Sequence, residues 1–237
     1  VGLFEPLKFS LSKLSESVGK YDGDRPMTHL RALPLTPLCW REALSDQEHA
    51  QLKHLIRARF AQQHQATIQH FLPRLFGLWQ AEQPHAAVGV RIADGEPLFL
   101  ERYLNARAEH VLDERFGSAP HRQDIAEIGN LASLRPGLQR PLFLHLAHQL
   151  AAEGIAWLLF TATPEVANGL RRLGFEPQPI TPADPTRLGD ELPLWGRYYA
   201  HHPWVMAGDL QRAMRTFQAS RMPSNLTWQE VAHAHSA

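Results

Sequence analysis

Apolar residues recur at three- and four-residue steps across residues 43–70, placing Leu52, Leu55, Ile56 and Phe60 on one helical face, with Ser45 or Asp46 as N-cap. Arg57 and Arg59 fall beside that face. The period then shortens. LFGLWQ and AAVGVRIA read as two strands of a hairpin separated by AEQPH. PLFLERYL reads either as another strand or as the start of a helix running through AEHVLDERFG to Gly117. DIAEIGNLASL is a strand, Leu138 to Gly154 a helix, and IAWLLFTAT a near-continuous apolar strand. PEVANGLRRLGF is a helix opened by Pro164, LWGRYYAHHPWVM a late strand pair, and Thr227 with Glu230 has the capping-box spacing of a last short helix. Helix, antiparallel strands, a strand–helix–strand crossover and a further helix predict an α/β fold, a mixed sheet with its parallel pair near the middle.

The first 26 residues break this pattern. Leu7, Leu11, Leu14 and Val18 have helical spacing before KYDGDRP interrupts them, so residues 1–26 read as an extension, either a docking helix or an amphipathic helix at a surface. Met27 follows the break and leaves open whether the extension belongs to the natural product. The remainder divides into a domain over 27–210 and a helical tail over 211–237. The 24 basic and 24 acidic residues balance, which argues against nucleic acid as a partner and leaves residues 4–18 as the one candidate for membrane contact. A single cysteine, Cys39, excludes an intrachain disulfide and a cysteine-based metal cluster. With no apolar run near the roughly 18 residues of a membrane span and no signal-peptide order, a soluble cytoplasmic protein is expected.

No G-x-S-x-G, H-E-x-x-H, P-loop or G-x-G-x-x-G motif occurs, which removes the usual support for hydrolase, zincin, NTPase and dinucleotide readings. His145 and His148 share a helix but are read as solvated, and His201, His202, His233 and His235 lack acidic or cysteine partners at ligand spacing, so no metal is expected. The stretch IAEIGNLASLRPGLQRPL carries more chemistry. Glu127 and Asn130 interrupt an otherwise apolar strand, and Arg135, Gly137 and Arg140 surround the start of a helix. Helix N–H groups and two guanidinium groups suit a phosphate, although solvated loop arginines are the commoner occurrence.

Within this order of elements, the loop Arg135 to Arg140 and the later LRRLGFEP resemble the pyrophosphate loop and the helix-to-strand ending of the GCN5-related N-acetyltransferase (GNAT) superfamily. Leu170 stands where many of its members have a tyrosine acid. The acyl-homoserine-lactone synthase branch is echoed by Gly89-Val-Arg91-Ile, by Pro97-Leu-Phe-Leu100, and by Glu127-Ile-Gly-Asn130, where Asn130 replaces an arginine. Arg57 or Arg59 matches that branch's first-helix arginine. LFLERYL, AEIGNLAS, WLLFTAT, RLGF, ADPTRL and WGRYYAHHPWVM are similar to the thermostable hemolysin family, bacterial proteins grouped with the same branch.

The resemblance implies a GNAT-like mixed sheet, flanked by helices, whose central parallel strands splay to admit an acyl thioester, from acyl-CoA or acyl-carrier protein, with no bound cofactor. It implies N-acyl transfer to a small amine. Glu127 would be the base and Asn130 its companion. Leu131, Ala132, Ser133 and Leu134 would offer backbone N–H groups to the thioester carbonyl. Arg135, Gly137 and Arg140 would hold the donor phosphate, and Asn168 its pantetheine arm. Arg57, Arg91 and Glu101 would bind the acceptor, unless Arg91 and Glu101 simply pair with each other. The family name also implies an alternative, a membrane-perturbing lysin without enzymatic activity; a scaffold with an inactive acyl site is a third reading.

Overall fold

The structure is a computed structural model, and it describes residues 37–219. The expected extension at 1–26 and the capping box at Thr227 lie outside the described residues.

Seven strands form one sheet in the order β1-β2-β3-β4-β5-β7-β6. The strands are β1 (Cys39–Glu42), β2 (Arg74–Gln80), β3 (Gln83–Ile92), β4 (Ile125–Ser133), β5 (Trp157–Ala162), β6 (Gln178–Pro182) and β7 (Trp204–Asp209). Five helices accompany them: α1 (Asp46–His64), α2 (Ala108–Phe116), α3 (Gln139–Ala152), α4 (Pro164–Arg172) and α5 (Leu210–Ala219). Only β4 and β5 pair in parallel, joined through α3 as the crossover expectation requires.

Local chemistry explains the expected ends. Ser45 and Glu48 close a capping box on α1, Thr163 caps α4 ahead of Pro164, and Gly117 ends α2 in the left-handed region. The β2–β3 hairpin is tighter than AEQPH suggested. Ala81 and Glu82 alone turn the chain, both at positive φ (45° and 62°), and β3 begins at Gln83.

Three elements differ from expectation. PLFLERYL is neither a strand nor a helix start but a 3₁₀ turn over Phe99–Tyr103, because the N–H groups a strand would give to a neighbouring strand are taken by two glutamate side chains. LWGRYYAHHPWVM is not a strand pair. Gly196 and His202 have positive φ and break the extended path, 3₁₀ segments cover Pro185–Trp195 and Tyr198–His201, and only β7 is a strand. Its partners are β5 and the edge strand β6, whose Pro179 and Pro182 hid it from sequence patterning. The domain also does not stop at residue 210, since Leu210, Ala213 and Met214 of α5 are buried in the core.

The sheet's two faces are covered differently. On one, Leu142, Leu146 and Leu150 of α3, Leu170 of α4 and Leu210 of α5 join Phe76, Val88, Ile128 and Phe160 in one continuous core. On the other, α1 packs on β2 and β3 as one cluster, while the 98–112 segment packs with Ile125, Leu159 and Ala207 as a second. Two such clusters on one face leave room between them.

Candidate active site

The site begins with the parting of the central strands. Register pairing of β4 with β5 runs from Ile125–Trp157 to Ile128–Phe160 and then stops. Beyond it, β4 stays with β3 as far as Ser133, and β5 stays with β7 as far as Ala162. The expected splay is therefore present, and it starts at the Gly129–Asn130 step, where Asn130 takes φ of 52° and the β3–β4 ladder shifts register.

At that step the sheet is thinned. Gly89 and Gly129 face each other across β3 and β4, and a Cβ on either would meet Leu72 at 3.0 and 3.1 Å. The loop between α1 and β2 can thus cross close over the sheet, where Asn130 ties it down: Leu72 N–H donates to Oδ1 at 2.8 Å and Nδ2 donates to the His70 carbonyl at 3.3 Å. Asn130, expected beside Glu127 in the catalysis, also lines the cavity and holds this loop in place. Its amide is committed to backbone.

Between this loop and the 96–107 segment lies a cavity of about 1030 Å³, walled also by Arg91, Glu127, Glu191 and Trp195. Glu127 is 5% exposed, one of two buried polar side chains among the described residues. Its carboxylate accepts Phe99 N–H at 2.7 Å and Leu100 N–H at 3.1 Å, the first donors of the 3₁₀ turn. Burial pushes its pKa up to about 7, against the pull of those two N–H groups and of the Arg91 charge. Each carboxylate oxygen keeps a second lone pair for a ligand. A carboxyl group poised near neutrality in a cavity is suited to moving a proton.

Glu101 lines the same cavity, but its carboxylate is occupied. Arg122 donates to it at 2.7 and 3.2 Å, and the N–H groups of Leu98 and Ala108 donate at 2.9 and 2.8 Å. The expected alternatives of acceptor binding or pairing with Arg91 both give way to this anchorage. Glu101 caps the 3₁₀ turn and opens α2, and so fixes the N–H groups that hold Glu127. Sequence reading missed Arg122, which has no motif around it and also pairs with Glu109 at 2.7 Å.

Arg91 stands directly opposite Glu127 across β3 and β4, so their side chains share a face. Among the described residues it forms no ion pair, and its Nε is buried without a hydrogen-bond partner. Arg57 is not at the cavity wall. It lies outside the loop, donates to the Ile68 carbonyl at 3.3 Å and stacks on Phe71, which does line the cavity.

The donor side is less gathered. Leu134 N–H donates to the His85 carbonyl at 2.9 Å, so it is not free; by ladder alternation Ala132 also points toward β3, leaving Leu131 and Ser133 to face the splay. Arg135 and Arg140 are exposed, Gly137 has φ of 90°, and no side chain caps the start of α3. None of the three lines the cavity. Asn168 is exposed on α4 and accepts from Arg171 at 3.0 Å. Among the described residues no group of histidine, cysteine, aspartate and glutamate could hold a metal ion, and no helix is long and apolar enough to cross a membrane. His145, expected in solvent, instead stacks on Trp40 at 5.7 Å.

Solved structures of similar fold share little sequence with the chain. An N-acyl amino acid synthase from uncultured soil microbes, FeeM, superposes with a TM-score of 0.58 at 16% identity, over 78% of this chain and 98% of its own. The CoA-dependent acyl-homoserine lactone synthase BjaI gives 0.56 at 13%, over 81% and 93%. The synthase LasI gives 0.51 at 14%, over 74% and 91%. The fold is that of the GNAT-like acyltransferases. No curated protein matches the chain by sequence. The model of the family described as thermostable hemolysin matches residues 43–214, from two residues before the α1 N-cap into α5, and the chain belongs to that family.

Proposed function

We propose that the protein is an N-acyltransferase that moves an acyl chain from a thioester to a small amine. The observation carrying this reading is the Glu127 carboxylate, held by two backbone N–H groups on the floor of a large cavity, beside the point where the parallel strands part. In this reading the thioester enters the splay, and the N–H groups of Leu131 and Ser133 polarise its carbonyl. The amine enters from the cavity, and Glu127 takes its proton directly or through a water as the C–N bond forms. The C–S bond then breaks, and the departing thiolate is protonated by solvent. Arg135, Arg140 and the first N–H groups of α3 hold the donor phosphate. The donor is either acyl-CoA or acyl-carrier protein. FeeM and BjaI, by the activities in their names, use the same fold for N-acyl chemistry, which supports the reading.

Incubation with acyl thioesters and an amine mixture, followed by intact-mass detection, should reveal a new amide; its absence across donors would reject the reading. Replacing Arg135 and Arg140 together by Ala should raise the Michaelis constant for the thioester by roughly tenfold to a hundredfold, with a much smaller change in turnover, since the contacts act on ground and transition states alike. An unchanged constant would return that loop to a solvated turn.

A further inference from the structure

The arginines of the cavity are not equivalent. Arg102 pairs with Glu191 at 3.1 Å and lies 3.8 Å over the Phe99 ring, and Arg107 pairs with Glu109 at 3.3 Å. Arg91 alone of the cavity-lining guanidinium groups has no acidic partner among the described residues. A guanidinium cannot shed its proton, and a buried N–H without an acceptor costs about 1–3 kcal/mol, so an anion brought to Arg91 is favoured by charge and by hydrogen bonding alike. The obvious candidate does not supply it. Glu127 faces Arg91 across the ladder, yet no ion pair joins them, and the carboxylate is turned to the N–H groups of Phe99 and Leu100.

Resting on the acyl-transfer reading, we infer that the acceptor is an α-amino acid whose carboxylate is bound by Arg91, which delivers the adjacent amine to Glu127. An α-amino acid carries its nitrogen and its carboxylate one carbon apart, and the cross-strand placement of Arg91 and Glu127 sets a cation and a base side by side to receive them. The ammonium gives one proton to Glu127 and a second as the amide forms; the C–N bond made replaces the C–S bond broken, and the thiol leaves with a proton. Phe71, Leu72, Leu98, Phe99, Leu104 and Trp195 supply the apolar part of the wall, which suits an apolar or aromatic side chain. Arg91 is thereby the residue that sets specificity for the acceptor.

The test compares phenylalanine with phenethylamine, which differ only in the carboxylate, using acetyl, octanoyl and palmitoyl thioesters of both coenzyme A and acyl-carrier protein as donors and the full chain as enzyme. The ratio of kcat/KM for phenylalanine to that for phenethylamine should be high in the parent and fall roughly a hundredfold in Arg91→Met, with Arg91→Lys between them. Amide formation with phenethylamine at least equal to that with phenylalanine, or a ratio unmoved by Arg91→Met, overturns the inference while leaving acyl transfer intact. Calorimetric titration with phenylalanine alone separates the two failures. Binding that is lost in Arg91→Met, without any amide product, keeps the amino-acid site and rejects acyl transfer; no binding and no product reject both.

Discussion

Glu101 and Glu127 line one cavity, each accepts two backbone N–H groups from the same short segment, and they titrate in opposite directions. Burial pushes both upward. At Glu101 it is outweighed by the hydrogen bonds from Arg122, with those from Ala108 and Leu98, and the carboxyl is held below its ordinary range. At Glu127 burial wins, because the facing guanidinium of Arg91 acts only at a distance. Two N–H groups hold a carboxylate in place; a bidentate arginine decides its charge. One glutamate is thereby made structural with its ionised form favoured, while its neighbour is left free to exchange a proton.

Breaking the first half of this contrast should have the largest effect. Arg122→Met strips the largely buried side chain of Glu101, 10% exposed, of its counter-charge and should cost about 3–5 kcal/mol in chemical denaturation at neutral pH. The folded-state pKa of Glu101 is lowered, so its contribution to stability is present above the ordinary carboxylate range and lost as pH falls through it; the loss in Arg122→Met should accordingly be smaller at low pH. A variant as stable as the parent would show that Glu101 does not depend on Arg122.

Glu127 has the opposite sign. Its folded pKa lies above its unfolded value, so the folded chain holds the proton more tightly, and the contribution is full below about pH 4.5 and lost as pH rises through about 7. That amounts to about 3 kcal/mol across the window. Glu127→Gln should remove this decline from the stability–pH curve measured by denaturant unfolding. The amide has one acceptor oxygen for two N–H groups, so the variant should also be less stable than the parent at low pH, by about 1–3 kcal/mol. The same slope in both proteins would mean another group is responsible.

The finest test concerns Arg91. Its charge pulls the Glu127 pKa down from across the ladder, so Arg91→Met should raise it, as read from the carboxyl resonance during titration. No shift would place the guanidinium too far from Glu127 to act on it.

This contrast marks what could be seen in the sequence. Glu127 was legible because a carboxylate stands out in IAEIGN, an otherwise apolar strand, and the α1 N-cap and the parallel crossover were legible because their signals are local. The partners of Glu127 were hidden. PLFLERYL has the composition of a strand, and only the side chains of Glu101 and Glu127, far away in sequence or recruited as caps, turn it into a 3₁₀ segment. Arg122 sits in HRQD, where nothing marks it as the counter-charge for a residue 21 positions earlier. The structural part of Asn130 was hidden for a related reason. A polar residue in a strand suggested chemistry, and only the folded chain shows its left-handed backbone and its bonds to His70 and Leu72, which shape the cavity wall.

The central claim is that Glu127 is a proton acceptor tuned by burial, and the pH dependence of kcat/KM for amide formation tests it most directly. In the parent, kcat/KM should rise with pH through an apparent pKa of about 7, and in Glu127→Gln it should fall roughly a hundredfold or more and lose that inflection. An inflection in the ordinary carboxylate range, or one near 7 that survives in Glu127→Gln, would contradict it.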